Sequence, residues 1–206
     1  TVIRKNKGGN YSGIEIHTRA PVTFKDNLVI ENGPGYGLAT VLIHAHAAEI
    51  TGNLVINNDG GGMQIGSYYD YLPDVRVISN NIISDNNGIG LRLYSYGGSP
   101  VAATHNAILR NTAVNDAGIT ILYLDATSTV TNNTILGNTN TGGTDLRTIY
   151  FNYNTWGSPV FNHNNITGNN GYALYNGNTQ DLPDINAINN WWGTSSSSEI
   201  SSLVYD

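Results

Sequence analysis

Short runs in which apolar and polar residues alternate recur along the whole chain, set in a repeated frame. An Asn pair five residues apart brackets an apolar centre in Asn27-Leu-Val-Ile-Glu-Asn32, Asn53-Leu-Val-Ile-Asn-Asn58 and Asn81-Ile-Ile-Ser-Asp-Asn86. The same frame returns in Asn106-Ala-Ile-Leu-Arg-Asn111, Asn133-Thr-Ile-Leu-Gly-Asn138 and Asn164-Asn-Ile-Thr-Gly-Asn169, with half-copies at Asn6 and Asn190. Successive first Asn are 26, 28, 25, 27 and 31 residues apart. Two residues after each stands Val29, Val55, Ile83, Ile108, Ile135, Ile166 and finally Trp192. Three residues before it stands Phe24, Ile50, Ile78, Ala103, Val130, Phe161 and Ala187. Self-similarity at such a period means one small structural unit per copy, stacked on its neighbours.

After the second Asn comes a short variable loop and then, in most copies, an alternating strand led by Gly. Examples are Gly13-Ile-Glu-Ile, Gly62-Met-Gln-Ile, Gly88-Ile-Gly-Leu and Gly118-Ile-Thr-Ile; Asp145-Leu-Arg-Thr takes the place in one copy. Alternation over four to eight residues predicts strands with one buried face. A repeat of about 26 residues is too short for the two helices and turns of most helical repeats. The pattern therefore predicts an all-β coil in which each short strand pairs in parallel with the same strand one turn later. Asn suits the corners of such a coil: it tolerates the left-handed conformation, and stacked amides bond along the rod.

These rungs resemble those of the pectin-lyase-like superfamily of right-handed parallel β-helices. The segment Ile188-Asn-Asn-Trp-Trp-Gly-Thr194 resembles a closing segment common in secreted bacterial and archaeal proteins of that kind. The resemblance implies a single right-handed β-helix over residues 1–194, with seven to eight rungs and a length of roughly 35 Å at the usual strand spacing. Trp191 and Trp192 are expected to plug its end. Ser196 and Glu199 form an S-x-x-E capping box, so residues 195–206 read as a loop and C-terminal cap with Ile200, Leu203 and Val204 on one face. The chain starts at Thr1 in mid-rung, which reads as a mature or excised piece of a longer chain or assembly.

Composition narrows the function. Asn numbers 30 and Gly 24, Cys is absent, and charged residues make up 12% against about 25% in ordinary soluble proteins. Without Cys there is no disulfide, thiol nucleophile or zinc-thiolate site. No polybasic run offers itself to nucleic acid, no apolar stretch approaches a membrane span, and the net charge of −6 disfavours polyanionic ligands. The balance suggests an extracellular or cell-surface protein.

Enzymes of the resembled superfamily act on acidic polysaccharides through clustered Asp with calcium and a basic residue, through Asp pairs with His and Arg-x-Lys, or through Asp-Pro-His. The chain has no Arg-x-Lys or Asp-Pro-His, and no Asp pair recurs at equivalent strand positions. Paired carboxylates are needed to act as acid and base across a glycosidic bond, so no catalytic residue and no cofactor is assigned. Asp70, Asp74, Asp181 and Asp184 sit in Leu-Pro-Asp loops that suit calcium, though turn formation explains them better. Arg92 and Arg147 are read as outward, and His17, His44 and His46 as surface residues. Asn10 is the best N-glycosylation sequon; Asn132 and Asn165 fall inside the repeat.

More telling is the outward column of the Gly-led strand. With Ile14, Leu38, Met63, Ile89, Ile119, Leu146 and Tyr172 inward, an apolar and aromatic stripe faces out: Val41, Ile43, Tyr68, Tyr94, Leu122, Leu124, Ile149, Phe151 and Tyr175. Tyr68, Tyr94, Leu122, Ile149, Phe151 and Tyr175 are the expected ligand or interface residues, since a contiguous exposed stripe implies a contact. The sequence thus points to a non-catalytic extracellular module that is structural or binds polysaccharide. A lyase or hydrolase with a diverged motif, and a self-assembling filament subunit that contacts its neighbours, are the alternatives.

Overall fold

The computed structural model describes residues 1–7, 13–33, 39–67, 74–95, 100–124, 126–144, 146–152, 159–177 and 185–205. Three parallel sheets wrap one core. Sheet A stacks Val2–Arg4, Leu28–Ile30, Leu54–Ile56, Ile82–Ser84, Ala107–Leu109, Thr134–Leu136 and Asn165–Thr167. Sheet B stacks Ile14–Thr18, Val41–Ala45, Met63–Ser67, Leu91–Ser95, Ile119–Leu122, Arg147–Phe151, Tyr172–Asn176 and Val204–Tyr205. Sheet C stacks Val22–Lys25, Ala48–Thr51, Arg76–Ser79, Val101–Thr104, Thr129–Thr131 and Val160–Asn162. The chain visits B, C and A in turn, an all-β parallel solenoid as the repeat predicts. It makes about six full turns rather than seven to eight. Among the described residues the first repeat contributes only its sheet A strand, and past Tyr172–Asn176 the coil continues in the bridges of Asn186 to Val160 and Trp191 to Asn165 and in the C-terminal strand Val204–Tyr205.

The two apolar columns read from the sequence are the core. Val29, Val55, Ile83, Ile108, Ile135 and Ile166 lie in register on adjacent strands and are essentially inaccessible. Ile50, Ile78, Ala103, Val130 and Phe161 do the same in sheet C. Each side chain therefore packs on an equivalent above and below as well as on the facing sheet.

Between sheets C and A, and again after sheet A, the Asn form two ladders. In one, Asn27, Asn53, Asn81, Asn106, Asn133, Asn164 and Asn190 succeed one another; each gives its backbone N–H and one amide proton to the Oδ1 of the next, at 2.9–3.1 Å. The other runs from Asn6 through Asn32, Asn58, Asn86, Asn111 and Asn138 to Asn169 in the same manner. The remaining amide proton returns to a carbonyl one turn back, as from Asn111 to Ile83 at 3.0 Å. Every interior rung thus satisfies buried groups that would otherwise each cost about 1–3 kcal/mol.

The left-handed corner does not fall on the ladder Asn, as the sequence suggests. It falls on the residue before: Asp26, Gly52, Asn80, His105, Asn132, His163 and Asn189 in one ladder, and Lys5, Glu31, Asn57, Asp85, Arg110, Gly137 and Gly168 in the other, all with positive φ. The corner side chain points into solvent, so its identity is free; the next residue points inward and must be Asn. Glycine leads the sheet B strands for a different reason, close approach. A Cβ on Gly62 would lie 2.2 Å from the Gly90 carbonyl oxygen and 2.3 Å from Ile83 Cγ2.

At the C-terminal end Trp192 packs on the core while Trp191 is half exposed, so one Trp, not two, closes the coil. A helix over Ser197–Leu203 follows, its Ser196 hydroxyl accepting from the Glu199 N–H. Leu203 and Val204 lie against the core, and Val204–Tyr205 adds an eighth parallel strand to sheet B beside Tyr172–Asn176.

Two predictions follow from stacking. Ile108→Ala and Ile135→Ala should each lower unfolding free energy by about 2–5 kcal/mol in chemical denaturation, because both side chains are fully buried between rungs. Asn111→Ala leaves the Asn86 N–H, the Asn86 amide and the Ile83 carbonyl without their partner, a loss of about 3–6 kcal/mol. Asn6→Ala, at the ladder's start, removes one exposed donor and should cost under about 1 kcal/mol.

Candidate functional site

Sheet B decides what the rod displays. Its inward column is Val41, Met63, Leu91, Ile119, Ile149 and Leu174, with Ile43, Ile65, Leu93, Ile121 and Phe151 two residues on. Ile149 and Phe151 are therefore core residues with no exposure, as are Val41, Ile43 and Leu124, and none can meet a ligand. The outward reading of these five was wrong. Leu146, Ile89 and Tyr172, read as inward, are only half-buried and lie outside the core. Turns of unequal length between the Asn frame and sheet B shift the phase, and burying the larger apolar pair overrides the Gly-led alternation. Tyr123, at φ 58°, further inverts the alternation between Leu122 and Leu124. Tyr68 and Leu38 lie outside the described residues.

The outer face has two columns. One carries Glu15, Leu42, Gln64, Arg92, Thr120, Tyr150, Tyr175 and Tyr205 on successive strands. The other carries His17, His44, Gly66, Tyr94 and Leu122. Of the expected contact residues, Tyr94, Leu122 and Tyr175 do lie on this face, the first two side by side. Tyr94 meets the Tyr123 ring edge-to-face at 5.4 Å. Leu122 is nearly inaccessible.

The aromatic end of the face is held by an ion pair the sequence reading missed. Asp116 Oδ1 lies 2.7 Å from Arg147 Nε, and both side chains are mostly buried. The guanidinium thus fixed sits over the Tyr150 ring at 3.8 Å from its centroid and over the Tyr175 ring at 5.4 Å. Tyr150 and Tyr172 each pack edge-on against Tyr175, at 5.9 and 5.7 Å. Tyr205, brought back by the C-terminal strand, stacks flat on Tyr175 at 4.3 Å with 7° between planes. Burial raises the Asp116 carboxyl above its ordinary range, while Arg147, Thr120 and Arg92 pull it back.

The other end is polar. His17 and His44 meet edge-to-face at 4.8 Å, and Glu15 bonds His17 at 2.9 Å. Gln64 contacts His44 at 3.3 Å and accepts from Arg92 at 3.4 Å. His44 is buried, not a surface residue. Burial above all, then the charges of His17, Arg76 and Arg92, lowers its pKa to about 4. Arg76, which sequence reasoning also overlooked, is wholly buried and donates to Ser95 at 2.9 Å.

Among the described residues no cluster of three metal-ligating side chains occurs. Asp70, Asp181 and Asp184, the loop carboxylates that suit calcium, lie outside the described residues, as does Asn10; Asp74 is exposed. Asn132 and Asn165 are exposed members of the repeat. Among the described residues, the carboxylate embedded in the face, Asp116, is already tied to Arg147. What the described side chains offer is aromatic surface and fixed hydrogen-bonding groups.

A family model described as a right handed beta helix region matches residues 39–191. No curated protein and no solved structure matches the chain.

The histidine gives a pH signature. Because the native pKa lies below the ordinary value of 6.5, the unfolded chain binds the proton more readily. The stabilisation is therefore complete above about pH 6.5 and is lost as pH falls through about 4. Asp116, shifted the other way, acts in the opposite sense. Unfolding free energy measured in urea should drop by about 3 kcal/mol over that window on account of His44. In His44→Gln that component should vanish; a variant with the parent's pH slope would show that His44 does not titrate this way.

Proposed function

Because the chain belongs to the right-handed beta helix family, which is a scaffold and not one chemistry, we propose that it is a non-catalytic extracellular module that binds polysaccharide on the outer face of sheet B. The reading rests on the cluster of Tyr150, Tyr172, Tyr175 and Tyr205 around Arg147. A flexible apolar patch would lose entropy on ordering. These rings are already packed against one another and against a guanidinium fixed by Asp116, so a sugar ring stacking on the exposed Tyr205 edge meets a surface that needs little rearrangement. Tyr94 and Tyr123 form a second edge-to-face aromatic pair. The low charge and the high content of Asn, Gly, Thr, Ser and Tyr support an extracellular setting.

The test is retention of the protein on insoluble cellulose, chitin and xylan and its retardation in gels containing soluble galactan or pectate. The parent should be held by at least one polymer. Tyr175→Ser/Tyr205→Ser should weaken that retention at least tenfold, with the melting temperature little changed because both residues lie outside the core cluster. A parent that no polymer retains, or a double variant retained equally well, would defeat the reading. New reducing ends or ultraviolet-absorbing unsaturated products would replace it with the lyase or hydrolase alternative. Concentration-dependent polymers without glycan retention would replace it with the filament alternative.

A further inference from the structure

On the corner between sheets A and B the rod carries a notch. From the second-ladder Asn to the inward sheet B residue the chain takes five residues at Asn58 to Met63 and five at Asn86 to Leu91. It then takes eight at Asn111 to Ile119 and eleven at Asn138 to Ile149. The two short turns collapse toward the axis because glycines let their backbones touch: a Cβ on Gly88 would lie 2.6 Å from the Gly61 nitrogen. The two longer turns rise beside them as a wall, stiffened by an extra parallel pair, Thr112–Ala113 with Thr139–Asn140. The result is a trough of about 340 Å³, at the small end of the range for ligand sites.

Its lining alternates in character. Asp59 accepts a 2.9 Å bond from the Asn87 amide on one side. Val114, 68% exposed, and the half-buried Ile89 supply apolar surface. Thr141 and Asn115 complete the wall. The Asn115 Oδ1 is buried against Gly142 and offers the trough no accessible surface. The lining residues include one carboxylate and no cation.

We propose that this trough is a second binding site, for a neutral pyranose unit, separate from the aromatic face of sheet B. A sugar ring has an apolar C–H face for Val114 and Ile89. Its edge hydroxyls give donors to Asp59 and acceptors to the Asn87 amide. Asp59 turns away carboxylated sugars, for which no lining cation compensates. An apolar ligand would strip water from Asp59 and Asn87 without replacing its hydrogen bonds, and an anion would face Asp59.

The experiment is a titration of the intact, isotope-labelled chain followed by amide NMR, with cellotriose, mannotriose, galactotriose and triacetylchitotriose as neutral probes and trigalacturonate as the anionic one. At least one neutral probe should shift amides in 59–61, 87–89 and 112–115. Val114→Arg, at an exposed position, should weaken that response at least tenfold while melting like the parent. Tyr175→Ser/Tyr205→Ser should leave the trough response unchanged, which separates this site from the sheet B reading. The proposal is overturned if no neutral trisaccharide shifts those amides, if trigalacturonate binds as well as the best neutral probe, or if folded Val114→Arg binds like the parent.

Discussion

The amide of asparagine is the constraint on which the rest of this molecule depends. Each ladder oxygen accepts two bonds from the rung before it, one from a backbone N–H and one from an amide. Each ladder amide gives one proton forward and one back to a carbonyl. All donors and acceptors are used, in a fixed direction along the rod. Aspartate would keep the acceptor and lose both donors; serine has one donor to give. Only Asn has the right inventory at the right length, which is why the position tolerates nothing else through seven successive rungs of either ladder.

That saturation carries a local cost, set one residue upstream. The twelve bonds along each ladder are all made from residues that follow a left-handed corner, and most of those corners are not glycine. Left-handed backbone disfavours an L-residue by roughly 1–2 kcal/mol. The bonds that follow, each worth about 0.5–1.5 kcal/mol net, together with burial of the next branched apolar residue, outweigh it. The corner side chain meets only solvent and its rung neighbours, so His105, Arg110, Glu31 and Lys5 serve equally. In a well-formed surface pair, Arg110 and Asp85 are both corners of adjacent rungs, bonded twice at 2.7 Å.

This division explains what the chain made legible. The five-residue Asn frame never varies, so the ladders and the columns of sheets A and C could be read directly from residue spacing. Sheet B follows turns of different length, so its register had no fixed ruler. Nor did alternation supply one, because Val41–Ala45 is buried at every position and Ile119–Leu122 likewise. When both faces are buried the period-two contrast disappears, and Ile149 and Phe151 were assigned to the wrong face while Tyr94, Leu122 and Tyr175 fell on the right one. Asp116 and Arg147 were invisible as a pair for the same reason: 31 residues separate them, and only the true register shows that they belong to neighbouring turns.

The irregular turns are also where the chemistry collects, and the ladders make that possible. With rungs locked by the Asn frame, residues can be added after the second Asn without disturbing the core. The turn after Asn138 takes the largest addition. Asn140 and Asn170 start a short third ladder there, with the Asn140 oxygen accepting from the Ala117 N–H at 2.9 Å and its own N–H bonding Asn170. Arg147 then reaches back to Asp116 and forward to the Tyr150 and Tyr175 rings. Removing the guanidinium would strand a buried carboxylate as well as loosen the aromatic platform, so the pair couples display to stability. The same lengthened turns raise the wall of the trough on the neighbouring corner. A solenoid whose turns were all five residues long at this corner would have neither surface.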